Sequence, residues 1–344
     1  MGGLVGGRLA LAGHALSIVD VGAHLEAIRR RGLQLWLDDG QQCLVRPVAA
    51  VDDCREAGQQ DLVILSVKAQ VLPALAEAIA TMIGPETIVL PLQNGIPWWY
   101  FHRHGGPHEG RRIAAIDPDG TLETHLPSHA IIGCVAYPAG EIVMPGVVRH
   151  VEGRRLTIGE LDGADTPRIR ALAAHLNDAG FKTYAIPDIR SEIWLKLLGN
   201  VSLNHICALT RATMAEACQH GPTRRLAHAM MREAEAIARR LGVTLRLPIE
   251  KRIEGAERVG HHRPSTLQDV EAGRAMELSP MITAVLELRE LVGVRTPFTE
   301  TVYALVSLLD RTVQMNQTVE RLHGAAATGS MVDRGPHSAA GSAV

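Results

Sequence analysis

Short apolar runs alternate with helical periodicity through the first half of the chain. The segments 61–67 (DLVILSV) and 87–92 (TIVLPL) are continuous apolar runs with polar flanks, as is typical of strands buried on both faces of a parallel sheet. Amphipathic segments at 23–31 and 71–83 predict helices beside them, and 15–19 predicts a further short strand. This alternation predicts a doubly wound α/β sheet with a Rossmann-like fold.

The pattern changes after residue 188, where strand-like segments end and helical periodicity continues. Five helices are predicted there, at 191–213, 222–241, 266–272, 280–291 and 298–314. We therefore expect a Rossmann-like dinucleotide-binding domain at 1–188 and an all-α substrate and catalytic domain at 189–320. The segment 323–344 is rich in small and polar residues and is expected to be a disordered tail.

Three polar residues interrupt the apolar surroundings of the predicted helix 191–213. Lys196, Asn200 and Asn204 follow at four-residue steps, which places them along one stripe of the helix. An ammonium and two carboxamides among residues that favour burial cost roughly 1–3 kcal/mol each if they are left unpaired. Two interpretations stay open: a catalytic stripe, or polar groups that bind nearby backbone while the lysine extends to water.

Composition excludes several classes of protein. The 344 residues carry a net charge of −2, so the chain lacks the basic surface that nucleic-acid binding requires. Five cysteines form no CxxC pair and the histidines lack metal-ligand spacing, which argues against disulfides and metal sites and for a reducing, cytoplasmic location. No apolar run reaches the roughly 18 residues of a membrane span, and no signal peptide is recognisable.

Candidate ligand-binding residues follow the predicted strands of the first half. Asp20, Lys68 and Asn94 each stand just after a strand, at the edge where doubly wound sheets bind ligands. A carboxylate at Asp20 would accept hydrogen bonds from an adenosine ribose, although all three residues also suit ordinary turns or surface positions. Gly2 and Gly3 stand where a phosphate-binding G-x-G-x-x-G motif would end, but its strand and first two glycines are missing.

The helical half holds two more candidates. Ser265 precedes a helical pattern and is a good candidate for its N-cap. Glu277 lies in the mostly apolar stretch AMELSPM and therefore needs a partner, for which Lys196 is suited. An exposed glutamate on a solvated helix face is the competing interpretation.

Taken together, the motifs resemble those of the ketopantoate reductase (2-dehydropantoate 2-reductase) family. The matching stretches run in order from residue 2 to about 315: RLALAGH (8–14), GAHLEAIRRRGL (22–33), VKAQ (67–70), LQNG (92–95), WLKLLGNVSLN (194–204), LTRATMAE (209–216) and PSTLQD (264–269), followed by Glu277. The resemblance implies a Rossmann-like domain followed by a helical domain like the C-terminal domain of 6-phosphogluconate dehydrogenase. It also implies NAD(P)H-dependent reduction of a 2-oxo acid, most simply 2-dehydropantoate to pantoate in pantothenate biosynthesis.

The resemblance also implies a role for each candidate residue. Lys196 matches the family's catalytic lysine, a general acid, and Glu277 matches the glutamate that binds the substrate hydroxyl and pairs with that lysine. The substrate-binding positions are Asn200, Asn204, Ser265 and Asn94, and the cofactor-binding positions are Gly2, Gly3, Asp20, Lys68 and Asn94. No metal is implied.

The chain departs from the family pattern in three places. The opening strand and most of the glycine motif are absent, and we hypothesise that the start codon was assigned too far downstream. Val21, preceded by Asp20, stands where NADPH-dependent members commonly carry an arginine, so we expect a preference for NADH. The sequence after Glu277 is Leu278-Ser279-Pro280 instead of a hydrophobic residue and Asp, which leaves the exact 2-oxo acid open.

Two other functions compete with this one. A β-hydroxyacid dehydrogenase also uses a helical lysine with an asparagine four residues later, although Ser265 and Glu277 favour the first assignment. A non-catalytic nucleotide-binding remnant would explain the incomplete glycine motif. The expected partner is a small 2-oxo acid, and a homodimer is one of the assembly states left open.

Overall fold

The computed structural model describes residues 1–329, with side chains described as far as residue 318. Five helices belong to the first half: α1 Gly2–Leu11, α2 Gly22–Arg31, α3 Leu72–Ala80, α4 Thr121–His125 and α5 Pro167–Asp178. The strands are β1 Ser17–Val19, β2 Leu33–Trp36, β3 Gln42–Val45, β4 Ala49–Val51, β5 Gln60–Leu65, β6 Ile83–Pro91, β7 Ile132–Ala136, β8 Ala139–Met144, β9 Val147–Glu152, β10 Arg155–Glu160 and β11 Lys182–Ala185.

These strands form four hydrogen-bonded ladders. β1 pairs with β4 and β5 pairs with β6, both in parallel, while β7, β10 and β11 form a mixed sheet in the order β11-β10-β7. The fourth ladder has the order β3-β2-β9-β8. A parallel bridge between Val89 and Ile131 connects the end of β6 to the segment before β7. Within residues 1–329 no strand pairs with both β1 and β5.

The strand ends and helix starts follow the local signals in the sequence. At β6 the side chains of Val89 and Leu90 are fully buried, as expected for a central parallel strand. α5 begins after Thr166, whose side chain accepts a hydrogen bond from the Ile169 amide, and Pro167 occupies the first turn, where its missing N–H costs nothing. The predicted α/β alternation of the first half is confirmed.

Four consecutive aromatic residues, Trp98 to Phe101, anchor the long segment between β6 and β7. All four are buried, and the Trp194 indole N–H donates a hydrogen bond to the Tyr100 hydroxyl at 2.7 Å. Arg190 donates to the backbone carbonyls of Tyr100 and His102 in the same segment. The segment is therefore fixed against the helix Ile189–Gly199, which begins the second half.

The second half is all helical, as predicted. Its α-helices are α6 Ile189–Gly199, α7 His205–Thr210, α8 Met214–Gln219, α9 Gly221–Arg240, α10 Ile249–Arg258, α11 Ser265–Glu271, α12 Ala284–Val292 and α13 Pro297–Gly329, and π-helical turns occupy Asn200–Asn204 and Ser279–Thr283. α13 continues past residue 323, where the disordered tail was expected to begin, and residues 330–344 lie outside the described residues.

Two general features of the described residues bear on function. None of their helices is both long enough and apolar enough to span a bilayer. No group of three or more His, Cys, Asp or Glu side chains among them is arranged to hold a metal ion.

Candidate active site

The stripe of polar residues lies where α6 passes into a π-helical turn. Lys196 lies in α6, and the turn Asn200–Asn204 begins and ends with the two asparagines. Both asparagines are buried, and Asn204 Nδ2 donates to Asn200 Oδ1 at 3.3 Å. A single π-helical turn inside a helix is frequent at functional sites, because it redirects side chains without ending the helix.

The Lys196 ammonium lies at the junction of the two halves of the chain. It donates hydrogen bonds to Asn94 Oδ1 at 2.7 Å and to the Ala136 carbonyl at 2.5 Å. Burial lowers the pKa of Lys196 to about 8, while Glu277 and Cys134 act in the opposite direction. The amine is therefore charged at neutral pH and gives up its proton more readily than an exposed lysine.

Glu277 is buried near this ammonium but forms no direct ion pair with it among the described residues. Burial raises the pKa of Glu277, and Lys68, the Ala69 amide and the Asn94 carboxamide oppose that rise. The expectation of a direct Glu277–Lys196 contact is thus corrected. Asn94 acts on both groups, since its oxygen accepts from Lys196 and its carboxamide lowers the pKa of Glu277.

A second lysine joins the two halves of the chain. Lys68 follows β5, and its ammonium donates to Asp269 Oδ2 at 2.8 Å and to the Ala275 carbonyl at 2.7 Å. Asp269 also accepts from Arg274 Nε at 3.0 Å and is 8% exposed. The Lys68 side chain is therefore a contact between the domains, which sequence reasoning did not foresee.

The loop after β6 approaches the helical half closely at Gly95. Its φ is +84°, in the left-handed region, and a Cβ there would overlap the carbonyl oxygen of Pro280. The next residue, Ile96, donates its amide to the same carbonyl at 2.8 Å. A glycine is needed at this position because the second π-helical turn presses against the loop that carries Asn94.

A small cavity is enclosed between these elements. Its polar wall includes Asn94, Lys196 and Asn200, and its apolar wall includes Trp99 and Cys134. The volume is about 20 Å³, which is room for about one water molecule. An organic acid is far larger, so this cavity alone does not accommodate the substrate.

Ser265 is not among the residues that line this cavity. It is exposed at the first turn of α11, and Pro264, rather than Ser265, occupies the N-cap position. The expected serine N-cap is therefore wrong, because the extended backbone of Pro264 (φ −65°, ψ 157°) already precedes the helix. A role for Ser265 in substrate binding stays a prediction.

The remaining expected cofactor residues, Gly2, Gly3 and Asp20, lie at the start of α1 and just after β1. α1 begins at Gly2 without a side-chain cap, and a Cβ on Gly2 would overlap the Ser66 hydroxyl just after β5. Gly3 faces the Val148 side chain. Asp20 follows β1, and its carboxylate accepts a hydrogen bond from the Val21 amide at 2.8 Å.

Three site residues were not singled out from the sequence. Tyr137 places its ring centroid 5.6 Å from the Lys196 ammonium, Cys134 lines the cavity, and Asp269 binds Lys68. Tyr137 directly follows the buried strand β7, which was an available signal, whereas Cys134 lies in the middle of that strand. Asp269 belongs to the PSTLQD motif, but no local pattern shows which residue it binds.

Comparison with known proteins places this geometry in a family. The model for "Ketopantoate reductase PanE/ApbA" matches residues 1–163, and the model for its C-terminal domain matches 188–310. A 2-dehydropantoate 2-reductase of Mesorhizobium japonicum is 46% identical over 90% of this chain and 94% of that protein.

Solved structures agree with the sequence matches. A Ralstonia solanacearum protein that is assigned as a ketopantoate reductase superposes with a TM-score of 0.86 at 36% identity, covering 91% of this chain and 95% of that one. A PanE/ApbA family ketopantoate reductase from Ralstonia eutropha superposes with a TM-score of 0.76 at 26% identity, covering 90% and 95%. The family models span most of the chain, and this protein belongs to the ketopantoate reductase family of oxidoreductases.

Proposed function

We propose that this protein uses NAD(P)H to reduce a 2-oxo acid to a 2-hydroxy acid, and that 2-dehydropantoate is its substrate. The observation that carries the proposal is the buried Lys196 ammonium, held by Asn94 and the Ala136 carbonyl at the junction of the two domains. Membership of the family supports the cofactor class, and the name of the Mesorhizobium relative supports the substrate.

In this proposal Lys196 is the general acid. The nicotinamide cofactor, when bound, supplies the hydride that the substrate ketone carbon receives. The Lys196 ammonium gives a proton to the ketone oxygen as negative charge develops there, so the product is an alcohol and the lysine becomes a neutral amine. A pKa of about 8 suits the role, because the group is mostly protonated at neutral pH yet releases its proton readily. Solvent then returns the proton.

The remaining polar residues orient the substrate in this proposal. Glu277 binds the substrate hydroxyl, and Asn200 and Asn204 offer amide groups from the π-helical turn that follows α6. Asn94, which accepts a hydrogen bond from Lys196, contacts both substrate and cofactor in this proposal. Ser265, exposed at the start of α11, binds the carboxylate once the domains close on substrate.

The first domain offers groups that fit a dinucleotide. The start of α1 has no side-chain cap, so the amides of its first turn are available to a diphosphate, and Gly2 has no side chain that would overlap the Ser66 hydroxyl beside them. Asp20 has a carboxylate at the end of β1 that suits a ribose. Lys68 lies after β5, two residues from Ser66, which adjoins Gly2.

We propose that NADH is preferred over NADPH. The Asp20 carboxylate would repel a 2′-phosphate, and the neighbouring Val21 offers no positive charge. Measurement of kcat/KM with each cofactor tests the proposal, and Asp20→Asn is expected to narrow the difference. A wild-type preference for NADPH would refute the assignment of Asp20.

A substrate screen tests the function itself. Turnover of 2-dehydropantoate with NADH, well above that of other 2-oxo acids, is the expected result. Oxidation of 3-hydroxy acids in preference would instead identify a β-hydroxyacid dehydrogenase. Cofactor binding, followed by nicotinamide fluorescence, without turnover of any acid would identify a non-catalytic nucleotide-binding protein.

A homodimer formed through α13 is a further part of the proposal. Four large apolar side chains of α13 are 49–62% exposed: Phe298, Leu305, Leu308 and Met315. Their spacing of seven, three and seven residues is that of a coiled-coil seam, which buries such residues against a second copy. Sedimentation should give a dimer for the wild type and a monomer for Leu305→Glu/Leu308→Glu, with Val48→Glu as an exposed control. A monomeric wild type would rule out this interface.

The cysteines support a cytoplasmic location. All five are free thiols in the structure, four of them buried, and a protein with this many unpaired thiols suits a reducing compartment. Thiol titration of the protein from its host should find five reduced cysteines in the cytoplasmic fraction. A disulfide, or recovery from an exported fraction, would contradict this location.

A further inference from the structure

Glu192 and Lys196 have the spacing of a helical ion pair but do not form one. They are four residues apart in α6 with the glutamate first, which is the favoured order for such a pair. Lys196 instead donates to Asn94 and to the Ala136 carbonyl. Something therefore holds the glutamate away from its default partner.

Three side chains donate hydrogen bonds to the Glu192 carboxylate. The Tyr137 hydroxyl and Arg155 Nη2 each donate to Oε1 at 2.7 Å. Arg246 donates to Oε2 through Nη2 at 2.9 Å and through Nε at 3.2 Å. The Glu192 side chain is almost completely buried, so these donors satisfy a carboxylate that has little access to water.

Tyr137 lies between the carboxylate and the ammonium. Its hydroxyl binds Glu192, while its ring centroid is 5.6 Å from the Lys196 ammonium and 5.0 Å from Arg155 Cζ. The aromatic face attracts the ammonium but, unlike a carboxylate, carries no net charge and accepts no proton. The Tyr137 ring thus stabilises the Lys196 ammonium without pairing its positive charge with a negative one.

We propose that Arg155, Arg246 and Tyr137 form a clamp that holds Glu192 away from Lys196 and so keeps the ammonium available to the substrate. The three are positioning residues, and their importance for turnover rests on the proposed function. Without the clamp, Glu192 would bind Lys196, stabilise its charged form and make proton release harder.

Other charged and titratable groups near this pair must be held constant. Cys134 from β7, Glu277 from the segment after α11 and Arg252 from α10 face Lys196. Arg252 also acts on Tyr137. None of these is altered in the test below.

The chain allows the proton affinity of Lys196 to be measured directly. It has four lysines, Lys68, Lys182, Lys196 and Lys251, so a protein labelled with ε-¹³C-lysine gives few NMR signals. Lys196→Arg identifies the signal of interest by its loss. Titration of that signal reports the pKa of Lys196 without reference to activity, and the wild-type value is expected near 8.

The test compares the effect of Glu192→Gln in two backgrounds. With the clamp intact, the substitution is expected to move the Lys196 midpoint by less than about 0.3 pH unit, because the carboxylate is already held. In the double variant Arg155→Met/Arg246→Met the Lys196 midpoint is expected to rise, because Glu192 is then free to bind the ammonium. Adding Glu192→Gln to that double variant should lower the midpoint again by about one pH unit or more. An equal effect in both backgrounds would show that Glu192 acts only at long range, and would overturn the clamp.

A milder series keeps the test independent of the double variant's folding. Arg246→Gln, at the more exposed arginine, is expected to raise the pKa of Lys196 by a smaller amount, and Glu192→Gln should reverse that rise. Arg246→Lys should leave the pKa almost unchanged. Urea unfolding confirms that each variant is folded. The alkaline limb of the kcat/KM pH profile should shift by the same amount as the pKa of Lys196 measured by NMR. Suppose that Glu192→Gln changes the pKa of Lys196 only in the arginine variants, but the alkaline limb of the kcat/KM pH profile does not shift with that pKa. The clamp then stands and the role of Lys196 as the acid fails.

Discussion

Asn94 offers a sharp perturbation, because one side chain binds the Lys196 ammonium and also lowers the pKa of Glu277. Its oxygen accepts from Lys196 at 2.7 Å, and its amide stabilises the Glu277 carboxylate. In Asn94→Ala the ammonium keeps one acceptor, the Ala136 carbonyl, and Glu277 keeps the Ala69 amide. A hydrogen bond to a charged group contributes about 1.5–3 kcal/mol.

That free energy corresponds to a loss of roughly 10- to 150-fold in kcat/KM, at about 1.4 kcal/mol for each tenfold change. The pH profile should also move. Loss of the acceptor disfavours the charged lysine, so the pKa of Lys196 falls below its value of about 8 and the alkaline limb shifts to lower pH. Loss of the donor raises the pKa of Glu277 further.

The assay is steady-state oxidation of NADH, followed by nicotinamide absorbance across the pH range, with 2-dehydropantoate as substrate. Gln70→Ala, at an exposed amide in the neighbouring VKAQ motif, is the matched control and should retain wild-type activity. A change of less than about twofold in Asn94→Ala, with both pH limbs unmoved, would refute the bridging role.

Three further predictions concern stability. Lys68→Met should lower the free energy of unfolding in urea by about 1–3 kcal/mol, because Asp269 then keeps only Arg274 as a charged partner. An unchanged value would mean that the Lys68–Asp269 contact does not hold the two domains together. Glu233→Gln should cost about 1–2 kcal/mol in the same assay, since the carboxylate accepts two amides and a hydroxyl at the start of α13; an effect below 0.5 kcal/mol would contradict that role. The hydrogen bond from Arg154 lowers the pKa of Asp38 from 3.8 to about 2, so the stabilisation from this carboxylate is present above about pH 4 and is lost between pH 4 and 2. In Asp38→Asn the free energy of unfolding should therefore depend less on pH in that window. An unaltered pH dependence would refute this role of Asp38.

Much of the fold followed from local pattern. Continuous apolar runs identified β5 and β6, and the end of strand-like segments at residue 188 marked the start of the helical half at α6. These features depend on which residues are buried, and burial is what hydrophobic periodicity reports. The π-helical turn Asn200–Asn204 was not predictable, because its residues keep the four-residue spacing of an α-helix.

The candidate site was foreseen residue by residue but not in its contacts. The polar stripe on α6 and the amide after β6 stood out because polar groups beside apolar runs need partners. Which partners they take is decided by distant parts of the chain. Asn94, rather than Glu277, binds Lys196, and Pro264 displaces Ser265 from the N-cap. Such pairings arise from the packing of the two domains.

The most direct test of the central claim is the rate of hydride transfer in Lys196→Met, measured in a single turnover at saturating NADH and 2-dehydropantoate. We expect a rate lowered by about 10²- to 10⁴-fold, with NADH affinity within about twofold of the wild type and a cooperative urea unfolding transition that shows the variant is folded. A folded Lys196→Met protein that transfers hydride at close to the wild-type rate would contradict the assignment of Lys196 as the proton donor.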